Sequence, residues 1–435
     1  MLPLAGQNLI MVGISMADTL MVGRLGDVQL SAAALANQFG FILQLLLFGT
    51  ASGGNVLIAQ FWGKGDVQSI HKVMTIMYRI LAMAALVFTI LATGLSRQIL
   101  SIFTTSGDVI EEGAAFLRIV GLGYMLNCLG ASSLMALRSV GTVKISLYVY
   151  LVSLCTNVFF NWVLIFGNIG APALGVRGAA IATVISRVVE FSIIMIFLIK
   201  RENLIRYRLR MFFARKLGVL RNFTQNSVPV IINEFLWGMG NSAIAVIIGR
   251  MGTEFTAANS ISFVLVQLVT VAIFGAGNAS AVIIGNTVGA GEYQLAKARS
   301  KRLIVVSLCL GVFAMLLTLA LKGPMLSLYS ISDTAKIYAN QMMTINAFLV
   351  LLISLAVVSL LGVLRGGGDT RFVALIDVLS LWLVAIPLGF LSGHVWRWPV
   401  PAVFIILKCD ELVKVLVTLP RLLRGKWVRD LTIPD

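Results

Sequence analysis

The sequence predicts an all-α integral membrane protein with twelve transmembrane helices in two lobes of six. Three observations lead to this fold class: the composition, the number of long apolar segments, and a repeat of one half of the chain in the other. Of the 435 residues, 59% are hydrophobic and only 12% are charged, whereas a soluble domain has about 25% charged residues. Because so few polar side chains cannot cover a folded chain of this length in water, most of the surface must face lipid.

Twelve apolar segments are long enough to cross a bilayer, for which a helix needs about 20 residues. The predicted spans are 2–22, 31–61, 73–94, 114–136, 143–167, 176–199, 227–248, 257–286, 303–322, 339–363, 372–393 and 399–419. The second and eighth spans are long and rich in glycine, which favours tilted or kinked helices. Residues 95–105, which follow the third span, are predicted to form an amphipathic helix at the membrane surface.

The positive charges lie mostly in the short connections between spans. The formal net charge is +16, which in a soluble protein would suggest nucleic-acid binding. With a cytoplasmic N-terminus, however, the cytoplasmic connections and tail carry roughly three times as many Lys and Arg residues as the outer connections. This positive-inside pattern predicts no nucleic-acid partner and a multi-pass protein of the cell (inner or plasma) membrane, with both termini in the cytoplasm.

A basic segment in the middle of the chain divides it into two halves. We predict an N-terminal six-helix lobe at 1–199, a basic cytoplasmic linker at 200–226, a C-terminal six-helix lobe at 227–419, and a basic cytoplasmic tail at 420–435. The linker is expected to hold the topology, and contact with lipid head groups is an alternative role.

The two halves repeat the same motifs at an offset of 226 residues. Gly23-Arg24-Leu25-Gly26 recurs as Gly249-Arg250-Met251-Gly252, and Gly63-Lys64-Gly65-Asp66 recurs as Gly289-Ala290-Gly291-Glu292. Because each half has six spans, an even number, both halves enter the membrane from the same side, so the repeat is parallel and its pseudo-twofold axis lies along the membrane normal. This organisation is typical of alternating-access transporters, and a duplicated scaffold without transport is the alternative.

The sequence contains no motif of a membrane enzyme. The Walker pattern GxxxxGK[ST] is absent, and so are HExxH and GxSxG. The four cysteines are far apart in apolar segments, and the two histidines lie in predicted loops, so a zinc site is not expected. The sequence therefore predicts no enzyme activity and no cofactor, with an ion gradient as the energy source.

Asp18, in the first span, is the leading candidate for an ion site. A charged side chain in the middle of a span costs about 2.5–3.5 kcal/mol on insertion scales, and Asp18 has no cation within one turn of its own segment. Such a carboxylate exchanges a proton or binds a cation, and Na+ at Asp18 is the only metal ion that we expect. Asn157 and Asn161, spaced i and i+4 in the fifth span, and Thr183 in the sixth could complete its site, although interhelical hydrogen bonding is the alternative for the amides.

Other ionisable side chains in the spans have two predicted roles. Glu234, in the seventh span, is a candidate for substrate binding or coupling. Arg187 with Glu190 and Lys408 with Glu411 each have i,i+3 spacing, and they recur near the ends of the two halves. We interpret these as structural ion pairs within single helices.

The sequence resembles the multidrug and toxic compound extrusion (MATE) transporters. The matching segments follow one another over essentially the whole chain: MADTLMVGRLGDVQLSAAALA, its repeat IIGRMGTEFTAANSIS, ALRSVGTVK with LRGGGDTRF, and ALGVRGAAIATVISR. The resemblance implies two six-helix lobes around a V-shaped cavity. It also implies export of organic cations and other amphipathic compounds in exchange for inward Na+ or H+. We expect a monomer in contact with membrane lipid.

The resemblance also assigns individual residues. Asp18 stands where the family has a carboxylate in the first span, Asn157 matches a family asparagine, and Pro3 stands where some members have a proline that bends the first helix. Asn161 falls where some archaeal members have a second aspartate, and Glu234 precedes the family's glutamate of the seventh span by about one turn. These departures leave Na+ and H+ both open as coupling ion.

Two alternative functions remain from the sequence. One is a flippase for lipid-linked oligosaccharide or another lipid, within the same superfamily. The other, from a different class, is a non-transporting membrane scaffold or a membrane enzyme.

Overall fold

The computed structural model describes residues 2–202, 204–207, 209–213, 218–327, 329 and 331–432. Within these residues the secondary structure is helical, and no strand is present. The predicted linker includes residues 203, 208 and 214–217, and the predicted tail includes 433–435, all of which lie outside the described residues.

Sixteen α-helices make up the described part of the chain. They are α1 (Leu2–Gly23), α2 (Asp27–Lys64), α3 (Val67–Gly94), α4 (Ser96–Phe103), α5 (Gly107–Gly121), α6 (Tyr124–Ser139), α7 (Lys144–Phe166), α8 (Val176–Ile196), α9 (Leu220–Met251), α10 (Thr253–Gly289), α11 (Tyr293–Ser327), α12 (Asp333–Ala356), α13 (Thr370–Leu379), α14 (Ile386–Phe390), α15 (Val400–Leu407) and α16 (Cys409–Arg424). π-Helical turns follow α8 and α12 and link α13 to α14, so that several of these helices continue one another across a bilayer.

The predicted fold class is confirmed. Of the described helices, nine are long and apolar enough to cross a membrane, and the pair α5 and α6, bent by 51°, makes a tenth. The first and twelfth predicted spans are occupied by α1 and by α15 with α16. The short helix α4 lies within the segment predicted to be amphipathic: Leu100 is buried, whereas Ile102 is 80% exposed.

The chain packs into two compact units. The N-terminal unit consists of Gly6–Ile58 and Asp66–Thr224, and the C-terminal unit consists of Met1–Ala5, Ala59–Gly65 and Gln225–Asp435. The last two turns of α2 therefore pack with the second half of the chain. The lobe boundaries predicted from the sequence remain a prediction.

A large apolar core joins several helices of the N-terminal unit. Buried side chains from α2, α3, α5, α6 and α8 form it, including Leu47, Leu81, Leu117 and Cys128. The described part of the linker lies against this unit, because Arg79 of α3 donates hydrogen bonds to the carbonyl oxygen of Phe212. Arg79, which lies inside the third predicted span, thereby has a hydrogen-bond acceptor outside its own helix.

Within the C-terminal unit, the end of α2 crosses the end of α10 at two glycines. A Cβ atom on Gly63 would overlap the carbonyl group of Asn286, and one on Gly289 would overlap the carbonyl group of Gln60. Gly63 and Gly289 are equivalent in the 226-residue repeat, and so are Gln60 and Asn286. The same contact therefore occurs twice, as in an isologous interface, and small side chains are what allow the two backbones to approach this closely.

The described part of the C-terminal tail is folded back onto this unit. Trp427 is fully buried and packs against Gly367, the backbone N–H of Arg429 donates to the carbonyl oxygen of Gly367 at 2.8 Å, and the N–H of Leu431 donates to Oε1 of Gln60 at 2.7 Å. The segment predicted only as a basic tail is thus an integral part of the packing.

Pro3 is the second residue of the described part of α1. A bend of the first helix at Pro3 stays a prediction. Its repeat counterpart Pro229 lies inside α9, where the missing N–H does interrupt the backbone ladder.

We expect Gly289→Ala to lower the free energy of unfolding by about 1–3 kcal/mol, because the added methyl group meets backbone that cannot move aside. The matched control is Gly249→Ala, since Gly249 also lies near the end of a helix but a Cβ there meets nothing within 4 Å. This control should be neutral or up to about 1 kcal/mol more stable. Equilibrium unfolding in mixed detergent micelles measures both, and equal effects of the two variants would contradict the close crossing.

Candidate functional site

The predicted carboxylate and both predicted amides meet in the N-terminal unit. The Nδ2 group of Asn161 donates a hydrogen bond to Oδ1 of Asp18 at 2.5 Å and contacts Oδ1 of Asn157 at 3.2 Å. These three side chains, from α1 and α7, form one polar cluster.

The local sequence explains why the two amides face the same way. Residues four apart lie on one face of an α-helix, and the remainder of α7 around Asn157 and Asn161 is apolar. Both amides are buried, whereas Asp18 is half-buried. A buried polar stripe in such a helix is stable only if its groups find partners across the helix boundary, and Asp18 supplies one.

One acceptor in this cluster is unused. The Oδ1 atom of Asn161 is buried and has no hydrogen-bond partner, and an unsatisfied buried polar group costs about 1–3 kcal/mol. The oxygen lies on the same side chain whose Nδ2 group binds Asp18. Carbonyl and carboxylate oxygens are the ligands that alkali cations take in transporters, so the donor set suits Na+ as well as a proton.

The predicted ion pair between Arg187 and Glu190 is present beside this cluster. Nη1 of Arg187 lies 2.8 Å from Oε2 of Glu190, and the hydroxyl group of Ser153 on α7 donates to the same oxygen at 3.4 Å. Arg187 also interacts electrostatically with Asp18, but its hydrogen bond goes to Glu190. Two carboxylates therefore share one guanidinium, which leaves the group one positive charge short.

Thr183 faces a cavity rather than the carboxylate. Its hydroxyl group donates to the carbonyl oxygen of Ala179 at 3.0 Å, and among the described contacts it makes no hydrogen bond to Asp18. The cavity has a volume of about 260 Å³, and its polar lining consists mainly of Asn37, Gln44, Asn127, Thr183 and Arg187. Arg187, the partner of Glu190, also lines this cavity. A role of Thr183 as an ion ligand stays a prediction.

In the C-terminal half, the expected pair between Lys408 and Glu411 is not formed. Glu411 is paired instead with Lys414, whose Nζ atom lies 3.0 Å from Oε1 of Glu411. Lys408 lies at the break between α15 and α16 and has a φ angle of −113°, so the i,i+3 geometry of a continuous helix does not apply to it. The sequence signal that was missed is the acidic pair, Asp410 and Glu411, one turn before Lys414.

Lys414 collects three carboxylates from two helices. Its Nζ atom lies 2.8 Å from Asp410, 3.0 Å from Glu411 and 3.2 Å from Asp377 of α13. The Nδ2 group of Asn233 on α9 donates to the other oxygen of Asp377 at 3.0 Å. We call these five side chains the Lys414 cluster.

Glu234 is also paired in the C-terminal unit. Its Oε1 atom lies 3.2 Å from Nη1 of Arg365, which belongs to the LRGGGDTRF segment. The Glu234 side chain retains 22% exposure, compared with 6% for Arg365. A role of Glu234 in substrate binding or coupling stays a prediction.

Known proteins resemble the chain over nearly its whole length. A family model described as MatE matches residues 3–163 and 229–391, two segments that begin at the offset of the internal repeat. A relative from Thermotoga maritima, named "Probable multidrug resistance protein NorM", is 25% identical over 98% of this chain and 91% of its own length. A relative from Bacillus subtilis, named "Probable multidrug resistance protein YoeA", is 24% identical over 93% of this chain and 88% of its own length.

Solved structures share the fold. A structure described as the outward-facing conformation of a multidrug resistance MATE family transporter of the MOP superfamily superposes with a TM-score of 0.88 at 17% identity, covering 98% of this chain and 95% of that chain. A MOP superfamily transporter from Pyrococcus furiosus, whose description suggests a different function from the reversed polarity of its binding pocket, superposes with a TM-score of 0.87 at 16% identity over the same shares.

We expect Arg187→Met to lower the free energy of unfolding by about 3–5 kcal/mol, because it leaves Glu190 buried without its cation. The double variant Arg187→Met with Glu190→Met should recover most of that loss, since no uncompensated charge remains on α8. The measurement is equilibrium unfolding of each variant in mixed micelles.

The control for this pair is an exposed ion pair in the same unit. Arg97 and Glu111 lie 2.9 Å apart, and their side chains are 62% and 69% exposed. Arg97→Met should therefore change the free energy of unfolding by at most about 1 kcal/mol. If the double variant of Arg187 and Glu190 were less stable than Arg187→Met alone, the unpaired charge of Glu190 would not be the cause of the destabilisation.

Proposed function

Because the chain belongs to the MatE family and is therefore a membrane transporter rather than an enzyme, we propose that it exports organic cations and other amphipathic compounds in exchange for inward Na+ or H+. The relatives named as multidrug resistance proteins support this substrate class. The ion would enter the cluster around Asp18 and leave on the cytoplasmic side, and the substrate would move in the opposite direction.

The charge balance around Asp18 carries the proposal. Asp18 and Glu190 are two carboxylates that share Arg187 as their only ion-pairing or electrostatically interacting cation among the described contacts. In a medium of low dielectric constant an uncompensated charge costs several kcal/mol. One bound Na+ or H+ would neutralise the group, and its release would restore the negative charge.

Binding of the ion can drive transport only if it changes the balance between two conformations. A ligand shifts such an equilibrium by no more than its difference in affinity for the two states. We propose that the predicted lobes, 1–199 and 227–419, alternate between outward and inward access. In this cycle an Asp18 site loaded with its ion favours one state, and a site loaded with substrate elsewhere favours the other.

The setting of the transporter completes the proposal. The protein is a multi-pass membrane protein, and we propose that it lies in the cell (inner or plasma) membrane as a monomer in contact with lipid. Both termini would be cytoplasmic, as the excess of positive charge on that side supports. It would need no cofactor besides the coupling ion.

We expect Asp18→Asn to abolish ion-driven efflux while leaving the protein folded, because the amide can neither release a proton nor balance the charge of a cation. The measurement is ethidium export from proteoliposomes with pH and Na+ gradients imposed separately, with size-exclusion chromatography as the folding check. The control is Asp108→Asn, an exposed carboxylate in the first turn of α5, which should export at the normal rate.

Normal ion-driven export by Asp18→Asn would overturn the assignment of the ion site. Absence of any ion-driven ethidium flux in the unaltered protein would overturn antiport of organic cations and favour the flippase alternative.

The variant Asn161→Leu distinguishes Na+ from H+ as the coupling ion. If Na+ is the coupling ion, loss of the Asn161 oxygen should raise the Na+ concentration for half-maximal efflux roughly tenfold. If the ion is a proton, efflux driven by a pH gradient should persist, because a proton on Asp18 needs no second oxygen ligand. Efflux from the same proteoliposomes, titrated with Na+ at constant pH, distinguishes the outcomes. A variant that loses pH-driven and Na+-driven efflux alike, with normal elution in size-exclusion chromatography, would contradict both.

A further inference from the structure

We propose that the Lys414 cluster is a second proton site, in the C-terminal half, in which Asp377, Asp410 and Glu411 share at least one exchangeable proton. The inference deepens the proposed function, on which it rests for its consequence in transport. The protonation itself can be measured without transport.

The three carboxylates occupy all the N–H donors of the Lys414 ammonium group. A lysine has three N–H donors, and the three carboxylates of the cluster each lie within 3.2 Å of Nζ. The geometry therefore holds three acids around one cation, and the cluster would carry two uncompensated negative charges if all three acids were ionised.

The cluster is buried, and two of its acids, Asp410 and Glu411, lie in the first turn of α16, at the break from α15 inside the predicted span 399–419. Lys414 and Asp410 are 5% and 6% exposed. Lys414 precedes the last residue of α16 by ten residues, which is about 15 Å along a helix axis, and Asp377 follows the first residue of α13 by seven residues, about 10 Å. Two net charges at such a depth would face lipid and protein rather than water, so their neutralisation is strongly favoured.

An unused acceptor gives independent support. Asn233 is 2% exposed, and while its Nδ2 group binds Asp377, its Oδ1 atom has no hydrogen-bond partner. A buried acceptor next to carboxylates needs a hydrogen-bond donor. Protonation of one carboxylate provides an O–H donor and removes one negative charge. A single proton on the cluster would thus reduce the charge imbalance and supply an O–H group.

The arrangement favours a proton over a metal ion. Among the described residues no three His, Cys, Asp or Glu side chains are placed so as to hold a metal ion. Lys414 Nζ instead occupies the centre on which the three carboxylates converge. Carboxylates that share a site cannot all stay ionised, and a shared proton is the usual resolution.

No other cation among the described contacts compensates the cluster. On α9 the neighbouring Glu234 is itself occupied by Arg365, and on α16 the residue before Asp410 is Cys409, whose thiol adds no positive charge. The π-helical turn after α12 also packs against α16, and its hydrogen bond to α16 joins two hydroxyl groups, those of Ser359 and Thr418.

Infrared spectroscopy tests the proposal, because a protonated carboxylic acid has a C=O stretching band that an ionised one lacks. The measurement uses the full chain in detergent at neutral pH, in H2O and in D2O, on an Asp18→Asn background so that Asp18 contributes nothing. We expect a band equivalent to about one proton per protein, shared among the coupled acids. Glu411→Gln should weaken it, and Lys414→Met should strengthen it, because removal of the ammonium leaves three acids without a cation.

Two further variants keep the test decisive. Glu411→Asp preserves the carboxyl group and should retain the band, which separates loss of the acid from loss of the fold. Glu111→Gln, which removes an exposed carboxylate, should leave the band unchanged. Absence of the band on the Asp18→Asn background, or its full retention in Glu411→Gln, would overturn the proposal.

The outcome is distinguishable from failure of the proposed function. If Asp18→Asn exports ethidium normally but the band behaves as expected, the cluster binds protons and the assignment of Asp18 is wrong. If Asp18→Asn abolishes efflux but the band is missing, the N-terminal site stands alone. If both hold, the number of protons exchanged per ethidium in proteoliposomes should fall by about one in Glu411→Gln.

Discussion

The structure depends on how charge is balanced inside a body of helices that is apolar almost throughout. A carboxylate in such surroundings is tolerated only beside a cation, a proton or a set of donors. In the N-terminal unit Arg187 is ion-paired with Glu190 and interacts electrostatically with Asp18. In the C-terminal unit Lys414 is ion-paired with three acids. With its carboxylates ionised, each cluster has more negative than positive charges. This imbalance favours the binding of a mobile cation.

The internal repeat is kept in the backbone contacts and lost in the polar ones. Gly63 and Gly289 make equivalent close contacts where α2 crosses α10, since any larger side chain would separate the two backbones. In contrast, the counterpart of Asp18 is Ile244, a buried apolar residue. Close packing constrains both halves alike, whereas a polar side chain in one half places no packing requirement on the other.

Much of the fold and part of the site could be predicted from sequence. The composition and the lengths of the apolar segments predicted the helical membrane fold, and the i,i+4 spacing of Asn157 and Asn161 placed both amides on one face. The wrong pair, Lys408 with Glu411, came from assuming a helix that continues through Lys408, whereas α16 begins after it. The acid recurs in both halves, but its cation lies one turn before it in α8 and one turn after it in α16.

The sequence by itself determined which segments are apolar and long enough to cross lipid, since that depends on the sum of side-chain transfer energies over about 20 residues. It also determined that Asp18 would need a partner. Only the tertiary structure decided which partner each charge has, because Asp377 and Lys414, or Asp18 and Asn161, are brought together by helix packing between distant parts of the chain. A hydrogen bond or ion pair depends on ångström-scale geometry across helices, and local spacing along one helix does not contain it.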